Sequence, residues 1–251
     1  MVDRAAIAAL PTDELEKLDI RSASLTDEAV MFIGFQRTKQ ISKKAREAWG
    51  AGDTRPMANE VRARRAEIVG GAIHEVWREY MPVREYLSEQ GLHPKQVADV
   101  GCGAGINNIF LAYDYSPCFT LIDIEQTEDQ YHGWASSGAG YASLDSARAW
   151  LEENGVSGGS IETINPRKEH GRIEGISPDL ATSLYSCGFH YPIDDYLAMF
   201  LNVVSSGGAV ILDIRKHYWR RKPIALEQLC SAGNVTEIYH DVRSVRIAVR
   251  G

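Results

Sequence analysis

The sequence predicts an α/β protein: a seven-stranded, mostly parallel sheet that ends in an antiparallel C-terminal hairpin, preceded by an N-terminal helical extension. Three observations carry this expectation. The chain up to about Gly91 is helical in pattern; after His93-Pro94 short apolar runs alternate with longer amphipathic ones; and the last runs are joined by a connection too short for a parallel crossover. The division is placed at 1–94 for the helical extension, or lid, and 95–251 for the α/β domain.

From Asp13 onward long stretches are rich in Ala, Glu, Lys and Arg, with apolar residues returning every three or four positions. Ile68, Ala72, Val76 and Tyr80 form one such stripe. Thr12 suits an N-cap, and Gly50-Ala51-Gly52-Asp53 followed by Pro56 divides the region into at least two helical parts. The expected strands are then Val97 to Val100, Phe119 to Ile124, Ile161 to Ile164, Leu180 to Tyr185 and Ala209 to Ile214. A helix Ile224 to Ala232 stops at Gly233, and Val235 to His240 and Ser244 to Val249 pair around a turn at Asp241.

Composition narrows the function classes. In 251 residues, 44% hydrophobic and 24% charged is ordinary globular usage, and a net charge of −7 disfavours a protein whose main partner is a nucleic acid backbone. The basic runs Lys43-Lys44-Ala45-Arg46, Arg62-Ala63-Arg64-Arg65 and Arg215-Lys216 to Arg220-Arg221-Lys222 either bind an anionic substrate or are solvated faces, more often the latter. Cys102, Cys118, Cys187 and Cys230 are scattered with no C-x-x-C pair, which suggests reduced thiols in a cytoplasmic protein rather than a zinc site or disulfide framework. No apolar run approaches a membrane span, so no membrane partner is expected.

The strongest local signal is Val97-Ala-Asp-Val-Gly-Cys-Gly-Ala-Gly105, where a strand runs into three alternating glycines and then the helix-compatible stretch Ile106 to Tyr113. Glycines permit a tight turn and let a ligand approach the backbone at the carboxyl edge of the sheet. The dinucleotide fingerprint would place a small residue where Ile106 stands, which disfavours a nicotinamide dehydrogenase. Asp99 adds a carboxylate that suits an ammonium group better than a pyrophosphate.

This run resembles motif I of the class I S-adenosylmethionine-dependent methyltransferases, whose pattern is apolar-x-D/E-x-G-x-G-x-G. The resemblance covers Val97 to Gly251 and implies a Rossmann-like domain with S-adenosyl-L-methionine as cofactor. It also implies a ribose-binding acid at Asp123, with Glu125 as substitute, and a last strand inserted antiparallel between the fifth and sixth. Asp99, Gly101, Cys102, Gly103, Gly105, Asp123, Ile124, Asn165 and Ser183 are the expected cofactor contacts; Asn165 serves either an adenine edge or the turn before Pro166. In the family the N-terminal helices cap the site or bind the acceptor.

The run Ser183-Leu-Tyr-Ser-Cys-Gly-Phe-His-Tyr-Pro192 lies where the family presents the acceptor, and it is similar to a stretch of sugar O-methyltransferases. Methyl transfer to an alcohol needs a base and tight positioning. His190 is the candidate base, with a structural or substrate-orienting role as the alternative; Asp194 and Asp195 either orient it or cap the following helix. Tyr185, Ser186, Tyr191, Arg215 and His217 are the candidate acceptor contacts. O-methylation of a small polar acceptor such as a sugar or natural product is the expectation, with N-methylation or a non-catalytic assembly role as alternatives. No metal is expected, and a homo-oligomer is left open.

Overall fold

The computed structural model describes residues 13–125 and 142–251, so the N-cap expected at Thr12 lies outside the described residues. Among the described residues four helices come first: α1 Asp13–Glu16, α2 Asp27–Gln36, α3 Lys43–Gly50 and α4 Arg55–Glu89. Thr26 and Ser42 cap α2 and α3 by accepting from Ala29 N and Ala45 N, and α3 stops at Gly50 as the glycine pair requires. Pro56 sits in the first turn of α4, where its missing N–H costs nothing.

The stripe Ile68, Ala72, Val76 and Tyr80 is fully buried. On α4 it meets α5 Ile106–Tyr115, where Phe110 packs against Trp77 at 5.0 Å and Tyr80 at 5.6 Å between ring centroids. Tyr80 Oη donates to Asp114 at 2.6 Å. Trp49 of α3 stacks on Phe35 of α2 at 5.3 Å, which joins these two helices to one another.

The remaining elements are β1 Gln96–Val100, β2 Cys118–Ile122, α6 Leu144–Glu153, β3 Ile161–Ile164, α7 Pro166–Ile173, β4 Leu180–Ser183, β5 Ser186–Tyr191, α8 Leu197–Ser205, β6 Ala209–Arg215, α9 Lys216–Arg221, α10 Ile224–Ser231, β7 Asn234–His240 and β8 Ser244–Arg250. Seven strands form one sheet in the order β3-β2-β1-β4-β6-β8-β7. All pairings are parallel except β6 with β8 and β7 with β8. The last strand is thus inserted antiparallel between β6 and β7, as the resemblance implies.

One core lies between the N-terminal helices, α5, α6 and one sheet face; a second lies under α8 and α10 on the other face. The segment Ser183 to Pro192, expected as a loop, is instead largely strand β5, which stands outside the seven-stranded order. Tyr185 has φ of +54° and turns the chain off the end of β4, so the apolar run continues as a second extended segment. Asp194 and Asp195 fall in a one-turn 3₁₀ segment before α8, and neither that turn nor α8 carries a side-chain cap.

Candidate functional site

The glycine run forms the expected turn at the carboxyl end of β1. Gly101 N and Cys102 N both donate to Ile122 O at the end of β2, at 2.7 and 3.3 Å. Gly101 and Gly103 have φ of +73° and +57°, which an L side chain adopts only under strain. Space is also closed to a side chain there: a Cβ on Gly101 would collide with Ser186 Oγ, and one on Gly103 would sit 2.9 Å from Gln36 Oε1. Gly105 starts α5, and a Cβ there would meet Leu151 Cδ1 of α6 at 2.7 Å, so its smallness serves helix packing.

Two buried carboxylates flank this turn. Asp99 accepts from Thr182 Oγ1 at 2.7 Å and Asn108 Nδ2 at 2.6 Å, which fixes its rotamer, while burial holds its acidity below that of a free carboxyl. Asp123 accepts from Gly103 N at 3.0 Å and from Glu125 N at 3.1 Å. Burial, opposed by those two bonds and aided by the charges of Asp99 and Glu125, pushes the Asp123 carboxyl up to about 6. Glu125, in a left-handed backbone conformation, has burial outweighed by donors from Asn165 and Lys168, and its carboxyl lies below the usual range.

A cavity of about 650 Å³ opens above these residues. Asp99, Gly101, Cys102, Gly103, Asp123 and Ile124 line it, as do Tyr185, Ser186, His190 and Tyr191. Ser186 Oγ and Tyr191 Oη lie 3.1 Å apart, and burial keeps the Tyr191 phenol protonated. Tyr185 packs edge-on against Phe189 at 5.0 Å, and its amide donates to Asp213 at 3.2 Å. The structure therefore brings ten of the sequence-predicted positions to one place.

Five others lie outside the cavity lining. Asn165 accepts from Arg167 N at 3.0 Å as the cap of α7 and donates to Glu125 at 2.8 Å, so it fixes Glu125. Ser183 donates to Val100 O at 2.9 Å and accepts from Cys187 N at 3.0 Å, stapling β4 to β1 and to the start of β5. Gly105 packs on α6, Arg215 lies 5.1 Å over the Phe189 ring, and His217 is on α9.

Residues of the N-terminal helices and of the β7–β8 turn, none of them among the site positions named from the sequence, also line the cavity. Gln36, Arg37, Thr38, Lys39, Arg46, Glu75, Arg78 and Glu79 reach it from α2 to α4, and Asp241 and Arg243 from the β7–β8 turn. Arg37 makes a twofold bond to Glu79 at 2.7 and 2.8 Å. Asn107, in the first turn of α5, is 9% exposed and lines the cavity with neither its amide nitrogen nor its amide oxygen hydrogen-bonded. A buried amide without partners is unfavourable, so this one is suited to a polar ligand.

Asp213, near the end of β6, has its carboxylate fully engaged. It sits opposite Arg246 in the β6–β8 ladder, accepting at 2.9 Å from Nε and 2.7 Å from Nη2, and both side chains are wholly buried. Arg246 Nη1 donates further to Glu79 O, tying the sheet to α4. Among the described residues no helix is long and apolar enough to cross a membrane.

No protein-family model and no curated protein matches the sequence. Solved structures give partial superpositions. An O-methyltransferase family protein from Burkholderia thailandensis superposes with a TM-score of 0.45 at 13% identity, over 77% of this chain and 62% of that one. The bifunctional kinase-methyltransferase WbdD gives 0.44 at 18%, over 69% of this chain and 39% of its own. The N-methyltransferase NodS from Bradyrhizobium japonicum WM9, solved with S-adenosyl-L-homocysteine, gives 0.44 at 14%, over 70% and 87%. This chain thus spans less than two thirds of the length of the first two.

Proposed function

We propose that the chain is an S-adenosylmethionine-dependent methyltransferase that methylates an oxygen of a small polar acceptor such as a sugar or natural product. The observation that carries this reading is Asp123, a buried carboxylate at the end of β2 whose oxygens are aligned by Gly103 N and Glu125 N and face the cavity. That is the geometry for accepting from two vicinal hydroxyls. When bound, the cofactor supplies a methyl group made electrophilic by a positively charged sulfur.

The chain's own residues then divide the work. Asp123 holds the ribose hydroxyls, and Ile124 and Cys102 flank that end of the cavity. Asp99 and the unpartnered Asn107 suit the amino-acid end, where an ammonium and a carboxylate need an acceptor and a donor. The side-chain-free turn at Gly101 and Gly103 lets the ligand lie against the backbone. Gln36, above Gly103, closes the cavity from α2, so the N-terminal region 1–94 acts as its cover.

His190 takes the acceptor proton, since a neutral imidazole is basic enough near neutral pH. Tyr185, Ser186 and Tyr191 position the acceptor: Tyr191 and Ser186 share a hydrogen bond and offer hydroxyls, while Tyr185 offers a ring face. Phe189, buried beside them, keeps water from the reacting atoms. The proposed partner is accordingly a small molecule or saccharide, and the four free thiols fit a cytoplasmic setting.

Calorimetric titration with S-adenosylmethionine, S-adenosylhomocysteine and NAD tests the reading. Saturable binding of the first two, weakened in Asp123→Ala and Gly103→Val, is the expected result. Binding of NAD alone, or of none of the three, overturns it.

A further inference from the structure

We infer that the methyl acceptor carries an anionic group, a carboxylate or a phosphate, held by Arg46 and Arg78 on one wall of the cavity and Arg243 on the other. The inference rests on the methyltransferase reading and specifies its acceptor.

The cavity is divided by charge. Its floor beside the glycine turn holds the acids Asp99 and Asp123, whereas Arg37, Lys39, Arg46, Arg78 and Arg243 line the remainder with, among the described residues, only Glu75, Glu79 and Asp241 against them. In a chain of net charge −7 this is a local reversal of sign.

The five cations are not equivalent. Arg37 is spent on Glu79, and Lys39 lies 3.6 Å from Glu75. Arg46, Arg78 and Arg243 have no carboxylate within ion-pair distance among the described residues. The contrast with the second basic run is instructive: Arg64 is paired with Glu60 and Glu67, and Arg65 with Asp27, so those charges are neutralised on the surface.

Arg46 is the most telling of the three. Its Nε is buried with no hydrogen-bond partner among the described residues, and the side chain lines the cavity. A guanidinium N–H withdrawn from solvent without an acceptor is unfavourable, and an oxyanion is the group that satisfies it. Across the cavity, Arg243 is set by a turn in which Asp241 accepts from Arg243 N and Ser244 N, and its guanidinium lies 5.4 Å from the Phe189 ring. The Phe189 and His190 rings lie 4.8 Å apart between centroids and both line the cavity, so an anion held by this arginine brings the acceptor to the proposed base.

The test begins with protein saturated in S-adenosylhomocysteine and titrates citrate, pyrophosphate and neutral glucose at fixed ionic strength. The expected result is saturable binding of at least one anion and none of glucose, weakened about tenfold or more in Arg46→Gln/Arg78→Gln and in Arg243→Gln, with S-adenosylhomocysteine affinity unchanged. Citrate against pyrophosphate separates carboxylate from phosphate recognition. Absence of anion binding by the wild type, or equal binding by the variants, overturns the inference. So does a loss of S-adenosylhomocysteine affinity in Arg46→Gln with 5′-methylthioadenosine binding intact, which would assign Arg46 to the cofactor's carboxylate. Failure of the wild type to bind S-adenosylhomocysteine is seen before any anion is added, and condemns the methyltransferase reading instead.

Discussion

Asp123 makes the sharpest prediction, because one side chain links fold stability, acidity and cofactor affinity. Its carboxyl titrates near 6 in the folded chain, raised chiefly by burial, against about 3.9 for an unfolded aspartate. Because the folded value is the higher one, the ionised group destabilises the apo fold at neutral pH. That cost is on the order of 3 kcal/mol and is relieved as pH falls through 6 toward 4. Ribose hydroxyls donate to the ionised form, so protons compete with the cofactor: affinity for S-adenosylhomocysteine is level from pH 8 to 7 and falls about tenfold by pH 5. Asp123→Asn cannot titrate. Its affinity is low and its pH profile flat, while its stability relative to wild type declines as pH falls from 7 to 4.5. Calorimetric titration between pH 5 and 8, with urea melts of both apo proteins, measures each quantity. A flat affinity profile in the wild type, or an unchanged slope in the variant, refutes the argument.

Three further outcomes are expected. Arg246→Met strands a buried Asp213 charge and lowers stability by about 3–5 kcal/mol, roughly 10 °C in Tm, while Asp213→Leu/Arg246→Met recovers most of it; calorimetric melting decides. Gly101→Ala drives a methyl group into Ser186 Oγ at positive φ, costs about 1–2 kcal/mol and abolishes S-adenosylhomocysteine binding; Ser186→Gly in the same chain restores part of the stability. His190→Ala lowers turnover on the first acceptor found by about 10²-fold or more without altering cofactor affinity; an unchanged rate removes His190 as the base.

The sheet was readable because its signals are local. Val97 to Val100 running into glycines, Ile161 to Ile164, and the pair meeting at Asp241 each announce themselves within a few residues, and the observed strands fall within two residues of those spans. Asp123 was readable for the same reason, as an acid ending a strand. Strand β5 was not, because its burial does not alternate along Ser186 to Tyr191 and Tyr185 turns the chain through a conformation rare for its type. Nor were the individual residues around the rest of the cavity: Gln36 over Gly103, Arg78 on α4 and Arg243 on the far hairpin become neighbours only through packing of the N-terminal helices on the sheet. Arg46 stood in a basic run that the sequence assigned more readily to a solvated face than to an anion. The Asp213 and Arg246 pair required the antiparallel register of β8 before either could be assigned a partner.

That register also sets a timetable. Arg246 reaches back to Glu79 across 167 positions, and Glu79 in turn anchors Arg37 at the cavity wall. Contacts this distant in sequence close late, since the intervening chain must be ordered first. The glycine turn and Asp123 are neighbours in sequence and assemble early. During synthesis the glycine-turn end of the cavity therefore takes shape while the opposite wall is still incomplete, and the cavity closes only when β8 slots between β6 and β7.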